Sequence, residues 1–183
     1  MISVNIRRAE AGDEATLATV AERMFRDAYE ADNEPLFLDA YVREHFQPSV
    51  LAAELADPAV TFFLMEDEGK IIGYSLIHGG QSHPAVASER PVQLTRIYVD
   101  REHIGSGIGS RLIERSLEEA AARVHDVVWL GVWERNQRAI AFYERWGFRQ
   151  VGEMQFDFGG DVQRDLVLAR PVRRRAQSDL AED

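Results

Sequence analysis

The 183-residue chain contains no cysteine, which excludes disulfides, thiolate-bound metals and a cysteine nucleophile. It also lacks long apolar runs. The longest stretches, at residues 60–65 and 127–132, span about six residues, whereas a membrane-spanning helix needs about 20. The N-terminus has no apolar segment behind a basic start, so no secretory signal is expected. These absences predict a cytoplasmic protein with no membrane partner and no metal cofactor.

Positive charge is also scarce. Lysine and arginine number 21 against 31 aspartates and glutamates, and the net charge is −10. Such a chain would be repelled by a polyanionic duplex, so nucleic acid is not expected as a partner. The acidity suits a cationic small substrate, although many proteins are this acidic for solubility alone. The length and the hydrophobic fraction of 45% predict one globular domain with a substantial core.

The first half of the chain mixes helical and strand patterns. Residues 2–6 alternate apolar and polar, which predicts a short edge strand, and Asp13 stands where a helix cap is expected. Apolar spacing then predicts a helix to about residue 29, helices over 36–46 and 50–55, a strand pair at 60–66 and 70–78 turning at Gly69, and a strand at 92–99.

The second half alternates strictly between strand and helix. It predicts a helix over 107–124, a strand buried on both faces over 127–133, a helix over 136–146 ending at Gly147, and a hairpin of 148–158 with 161–168. The whole predicts one α/β domain over residues 1–170, with a mixed, mostly antiparallel central sheet of about seven strands flanked by helices. Residues 171–183 form a polar tail, whose arginines at 173–175 are expected to be solvated.

A glycine-rich loop carries the first candidate site. Residues 99–113 read VDREHIGSGIGSRLI, a strand end followed by a loop with Gly105, Gly107 and Gly109 and then a helix. Glycines allow close approach of a ligand to the backbone, and the free amides of a helix N-terminus attract anions such as a pyrophosphate. Taken alone, the string fits a flexible loop equally well. Ser110 replaces the third glycine of a dinucleotide fingerprint, and the lysine of a P-loop is absent.

A second segment carries a polar stripe on one helix. Residues 129–148 read WLGVWERNQRAIAFYERWGF, in which Asn136, Ile140 and Tyr143 are spaced at i, i+4 and i+7 and so share a helix face. Asn136 and Tyr143 should lie roughly 10 Å apart along the axis, which would let them contact two points of one extended ligand. The alternative is that Tyr143 is an interior tyrosine with a structural role.

The strings RIYVD, IGSGIG and N-x-x-A-I-x-F-Y-x-x-x-G-F together resemble the cofactor-binding half of the GNAT superfamily of N-acetyltransferases. Residues 129–148 also resemble bacterial spermidine/spermine N-acetyltransferases of the PaiA type. The resemblance covers roughly residues 60–168. It implies a GNAT-like domain, acetyl-CoA as cosubstrate, and central strands 92–99 and 127–133 that splay around the pantetheine arm.

The resemblance also implies roles for individual residues. Backbone groups of Ile97 and Val99 would pair with the pantetheine amides, as an added strand does, and an N–H near Val99 would polarise the thioester carbonyl. Asn136 would contact the cofactor arm, and Tyr143 would lie beside the sulfur as general acid. The pyrophosphate would bind the amides of a seven-residue run: Ile104, Gly105, Ser106, Gly107, Ile108, Gly109 and Ser110.

The chain departs from the family pattern at two places. Ile104 stands where the family usually has Arg or Gln, and Gln93 and Thr95 stand on the strand where many members carry a glutamate base. The general base is therefore unassigned, with His78 and Glu153 as candidates.

The expected function is direct transfer of an acetyl group from acetyl-CoA to a primary amine, which could be a polyamine, another small amine or a peptide amine. The acceptor pocket is expected from residues 25–29, 30–50 and the loop 79–91. The alternative is a non-catalytic acyl-CoA-binding or sensor module. A homodimer is left open.

Overall fold

The computed structural model describes residues 4–172 as one seven-stranded sheet with helices on both faces. The strand order is β1-β2-β3-β4-β5-β7-β6, and the predicted fold class is confirmed. A 3-10 turn, Arg101–His103, follows β4. In chain order the elements are β1 (Asn5–Arg8), α1 (Glu14–Tyr29), α2 (Pro35–His45), α3 (Pro48–Ala56), β2 (Val60–Asp67), β3 (Lys70–Gly79), β4 (Pro91–Val99), α4 (Ile108–Ala122), β5 (Val127–Trp133), α5 (Gln137–Arg145), β6 (Arg149–Phe158) and β7 (Asp161–Pro171).

The N-terminal region differs most from the sequence prediction. The edge strand β1 covers Asn5–Arg8 and so runs two residues beyond the predicted end at residue 6, while residues 2 and 3 lie outside the described part of the chain. Arg7 anchors the strand by donating to Glu66 of β2 at 2.9 Å and to Asp13 at 2.7 and 2.9 Å. Asp13 does occupy the N-cap position of α1, but its carboxylate makes no capping bond to the helix. The pairing with Arg7 uses that carboxylate and lowers its pKa. Of the predicted tail, residues 173–183 lie outside the described part of the chain.

The two faces of the sheet carry different helices. Helices α1, α2 and α3 pack one face, where side chains such as Leu17, Leu38 and Leu51 meet Phe62 and Leu76 of the strands. Helices α4 and α5 cover the other face, because successive strand residues point to opposite sides. The side chains of that second core include Ile113, Ala120, Val128, Leu130 and Phe148. The domain thus has three layers, with the sheet between two layers of helices. An opening in the sheet would therefore connect the two helical layers.

The sheet opens between β4 and β5. These parallel strands pair only over Pro91–Gln93 and Val127–Trp129; beyond that, β4 continues against β3 and β5 continues against β7. Leu76 pairs with Arg96 but Ile77 pairs with Leu94, so Thr95 is an extra residue that forms a bulge in β4, and a bulge bends its strand. The predicted splay is therefore confirmed, and we call this opening the gap.

The hairpin of β6 and β7 returns to the N-terminal helices. Its turn, Gly159-Gly160, has φ of +65° and +105°, which favours glycine at both positions. A Cβ on Gly159 would lie 2.1 Å from the carbonyl oxygen of Phe37 and 2.8 Å from the amide nitrogen of Tyr41. The turn therefore packs directly on the backbone of α2.

Candidate active site

The far end of β4 directs backbone groups into the gap. The amide of Asp100 donates to Ile72 of β3 at 2.9 Å. Since backbone groups of successive strand residues point to opposite sides, the N–H and C=O groups of Val99, and of Ile97 two residues earlier, point away from β3 and toward the gap. The strand thus presents a free edge where the sheet has opened, as the resemblance implied.

The loop after β4 presents a group of unpaired amides. Gly105 has φ of +86°, and Gly107, the N-cap of α4, has φ of +89°. A Cβ on either residue would meet nothing within 4 Å, so backbone conformation and not crowding favours glycine here. Within residues 4–172, the amides of Gly105, Gly107, Ile108, Gly109 and Ser110 donate to no backbone acceptor. Free amides at the positive end of a helix dipole are the kind of donors that attract anions.

Helix α5 places the second motif. Asn136 is its N-cap, and the Oδ1 atom accepts from the amide of Ala139 at 3.1 Å, a structural task that the sequence reading did not assign to it. The Nδ2 group remains for a ligand. The helix ends as predicted at Gly147, with φ of +85°, where the amide of Phe148 donates to the carbonyl of Tyr143 at 3.1 Å.

Tyr143 lies on α5 with its side chain partly buried and its ring 5.8 Å from that of Phe148. Burial raises the pKa of its hydroxyl above the usual value of 10, and the charge of Tyr29, from the opposite helical layer, contributes to the same shift. The two hydroxyls therefore lie close enough to interact although their helices cover different faces of the sheet. Tyr143 stays protonated at neutral pH, which a proton donor requires.

On the α1 side, a cluster of packed aromatic rings adjoins the gap: Phe25 and Phe158 are buried in the core, and the other rings are partly exposed. We call this set the aromatic pocket; it consists of Phe25, Tyr29, Tyr41, Tyr98, Trp133 and Phe158. The ring of Tyr29 lies 6.5 Å from those of Tyr98 and Trp133 and 5.8 Å from that of Phe158. Strands β4 and β5 supply Tyr98 and Trp133, so the pocket spans both sides of the gap.

A carboxylate lies beside this pocket. Asp165 of β7 pairs in register with Trp133 of β5 and Met154 of β6 and is only 7% exposed. Burial alone raises its pKa to about 6, with no charge or hydrogen bond from residues 4–172 contributing. The charge of Asp165 in turn helps to raise the pKa of Tyr29 and that of Tyr41, the latter to about 12.

Known proteins resemble this chain over most of its length. Residues 22–148 match the family model described as Acetyltransferase (GNAT) family. This chain belongs to the GNAT acetyltransferase family. An uncharacterized N-acetyltransferase of Mycobacterium bovis is 30% identical over 160 residues, covering 87% of this chain and 98% of that protein.

Two further relatives extend the comparison. The thialysine N-epsilon-acetyltransferase of Bos taurus is 27% identical over 177 residues, covering 91% of this chain and 99% of the relative. The PaiA N-acetyltransferase of Thermoplasma acidophilum, solved in complex with coenzyme A, superposes with a TM-score of 0.75 at 18% identity over 93% of this chain and 99% of that one. The predicted family, fold and N-acetyltransferase activity are therefore confirmed.

Neither predicted candidate for the general base of the acetyltransferase lies at the gap. His78 pairs with Gln93, where β4 and β5 are still joined, and its ring lies 3.6 Å from Asp57. The Glu153 side chain is 49% exposed and lies 3.4 Å from Arg164. Thr95, where the family often has a glutamate, is an exposed residue of the bulge.

Sequence reasoning missed Asp165, although a signal was present. Every second residue of β7 lies on the face that meets Trp129 and Met154, and these residues are Asp165, Val167 and Ala169. A carboxylate that interrupts an otherwise apolar row of a strand is expensive to bury, and this makes it a candidate for function.

Proposed function

We propose that this acetyltransferase moves the acetyl group of acetyl-CoA directly onto a primary amine held in the aromatic pocket. The gap between β4 and β5 carries this proposal, because it joins the face that holds Tyr143 to the face that holds the aromatic rings. Acetyl-CoA supplies an acetyl thioester, whose carbonyl carbon the neutral amine attacks. The lack of cysteine suits direct attack.

The residues at the gap fit acetyl-CoA. The free amides of Gly105 and of residues 107–110 would bind the pyrophosphate, and the glycines leave the approach open. The predicted amides of Ile104 and Ser106 instead donate to the carbonyls of Arg101 and His103 at 3.4 and 3.2 Å. The backbone of Ile97 and Val99 would pair with the pantetheine arm, and Asn136 Nδ2 would donate to it. Ile104 adds no charge at this loop and is 46% exposed, so the amides would account for most of the binding.

Tyr143 is the proposed general acid. Its hydroxyl is protonated at neutral pH and makes no hydrogen bond to residues 4–172 that would divert its proton. A departing thiolate has a solution pKa of about 8.5, so it needs a proton to leave readily. The N–H of Val99, directed into the gap, would polarise the thioester carbonyl.

The proposed acceptor is a small, positively charged primary amine, a polyamine before a peptide amine. The net charge of −10 favours cations, and the bovine relative is named for its action on thialysine. Among residues 4–172, no helix has the length and apolar character to cross a membrane. A homodimer and a cytoplasmic location remain predictions.

A direct assay tests the proposal. Release of free thiol from acetyl-CoA would be followed with a panel that contains spermine, spermidine, thialysine and a short peptide, beside calorimetric titration of acetyl-CoA alone. We expect micromolar binding and amine-dependent turnover with at least one small amine. Binding without turnover across the panel would favour the non-catalytic acyl-CoA-binding alternative, and absence of binding would contradict the assigned cofactor.

A further inference from the structure

Among residues 4–172, the carboxylate of Asp165 has neither a hydrogen-bond nor an ion-pair partner, although the residue is only 7% exposed. Native proteins usually pair the charges of largely buried residues, so an unpaired carboxylate of this kind calls for an explanation. Burial is the sole cause of the shift in its pKa, so neither a cation nor a hydrogen-bond donor from residues 4–172 stabilises the carboxylate. Arg96, on the same face, is held by both oxygens of Glu54 at 2.7 and 2.9 Å and so leaves Asp165 unneutralised. An unpaired carboxylate with a raised pKa beside an opening in the sheet is a candidate for contact with a bound ligand.

The surroundings of Asp165 match one ligand chemistry. Aromatic faces attract cations, best where water is excluded, and the pocket offers the rings of Tyr29, Tyr41 and Trp133. The charge of Asp165 reaches the hydroxyls of Tyr29 and Tyr41, so carboxylate and rings border the same space. A carboxylate among aromatic rings suits the ammonium group of an alkylamine.

The carboxylate also lies beside the gap. A Cβ on Gly131 of β5 would be 3.2 Å from both Asp165 Oδ2 and Met154 Sδ, so the carboxylate oxygen occupies the space that a side chain at position 131 would take. The amide of Glu134 donates to Arg164 of β7 at 3.2 Å. By strand alternation the backbone of Gly131 then faces the opposite side, toward the gap. One glycine therefore separates Asp165 from the opening.

We propose that Asp165 receives the acceptor amine, binding its ammonium group and taking one proton from it before attack; this rests on the proposed acetyl transfer. Asp165 passes that proton to water. The neutral amine then forms the C–N bond as the C–S bond breaks, Tyr143 protonates the leaving thiolate, and the second amine proton restores the tyrosine through solvent. One proton is released overall, and charge and atoms balance.

The test compares Asp165→Asn with Glu153→Gln, a carboxylate in the neighbouring register of the same hairpin that lies outside the site. Turnover of spermine and thialysine, binding of each amine by calorimetry in the presence of coenzyme A, acetyl-CoA affinity and Tm would be measured for both. We expect Asp165→Asn to lower kcat/KM for the amine about 100-fold or more. It should weaken amine binding at least 10-fold, leave acetyl-CoA affinity within two-fold, and keep or raise the Tm. Glu153→Gln should match the parent protein.

The pH dependence of kcat/KM separates a role of Asp165 in catalysis from a purely structural one, because a structural role would leave that dependence unchanged. The titratable groups facing Asp165 are Tyr29 of α1 and Tyr41 of α2, and both stay protonated below pH 9 because burial raises the pKa of each. The acidic limb of kcat/KM should therefore belong to Asp165 and disappear in Asp165→Asn.

Three results would overturn the inference: unchanged turnover in Asp165→Asn, a lowered Tm with lost acetyl-CoA affinity, or no saturable amine binding by the parent protein. Amine binding without acetylation would instead contradict the proposed function and leave the amine site standing.

Discussion

The two sides of the gap are built in different ways. The proposed acetyl-CoA side comes from one contiguous stretch, β4 to α5, and presents mainly backbone amides around Gly105 and Gly107. The acceptor side draws on α1, α2, β4, β5 and β7 and presents side chains, the aromatic pocket and Asp165. A ligand common to a whole family can be recognised by backbone groups, whereas an acceptor that differs between members is recognised by side chains.

This difference decides what sequence reasoning can find. A backbone site needs glycines at fixed spacing, and these are visible as a local motif. A side-chain site needs a register between strands: Asp165 meets Trp133 only because β7 pairs with β5 as it does. Each of the following changes is directed at one side of the gap and should leave the other unaffected.

The largest effect is expected at the residue that joins the two sides. Tyr143→Phe removes the proposed proton donor and should lower kcat by about 10²–10⁴-fold, measured by thiol release, while acetyl-CoA affinity from calorimetry stays within a few-fold. Tyr74→Phe is the matched control, because Tyr74 is buried with a hydroxyl that has no partner among the described residues. A loss of affinity alone in Tyr143→Phe would indicate packing and remove the acid role.

The second effect should be confined to the backbone side. Gly107→Glu places a carboxylate and a Cβ at a residue with φ of +89°, and repulsion together with two lost amide contacts should weaken acetyl-CoA binding about 100-fold. Gly80→Glu is the control, since Gly80 has φ of +77° and equally open space but lies at the other end of the sheet. Equal loss in both variants would mean that the charge acts non-specifically.

The third effect concerns stability. Because the pKa of Asp165 is raised from 3.8 to about 6, the folded protein binds this proton more tightly than the unfolded chain between those values. The free energy of unfolding should therefore fall as pH rises through this window, by about 2 kcal/mol from this group. Asp165→Asn does not titrate, so its stability relative to the parent should increase from pH 4 to 6.5 in urea denaturation. A constant difference would show that Asp165 titrates normally.

The smallest effect should be confined to the acceptor side. Gly131→Ala puts a methyl group 3.2 Å from Asp165 Oδ2, which should displace the carboxylate by a few tenths of an ångström and lower kcat/KM for the amine about 10-fold. Acetyl-CoA affinity should not change. If kcat/KM for the amine and the affinity for acetyl-CoA fall together, the added methyl group has closed the gap instead of moving the carboxylate.

Particular residues show where prediction from sequence succeeded. The turn at Gly69 and the end of α5 at Gly147 were predicted because each depends on a few neighbouring residues, whereas the splay was expected only from the resemblance to a known family. Asp13 and Asn136 were assigned correctly to helix starts, but the partners of their side chains were not predicted. Arg7 of β1 donates to the carboxylate of Asp13, and the amide of Ala139 in α5 donates to the side-chain oxygen of Asn136. Both partners lie within six residues along the chain, but the sequence alone does not decide which of several nearby donors a carboxylate or amide oxygen will take.

The packing of Gly159 on α2 has a consequence for the order of folding. Residues 37–41 and 158–160 meet across most of the chain, so this contact closes a long loop and is expected to form late. The stretch from β3 to α5 depends mainly on shorter loops, apart from the pairing of β5 with β7, and is expected to form earlier. Hydrogen exchange should therefore show the hairpin turn and α2 opening together, ahead of α4. A partly folded chain would then bind coenzyme A before it could select an amine.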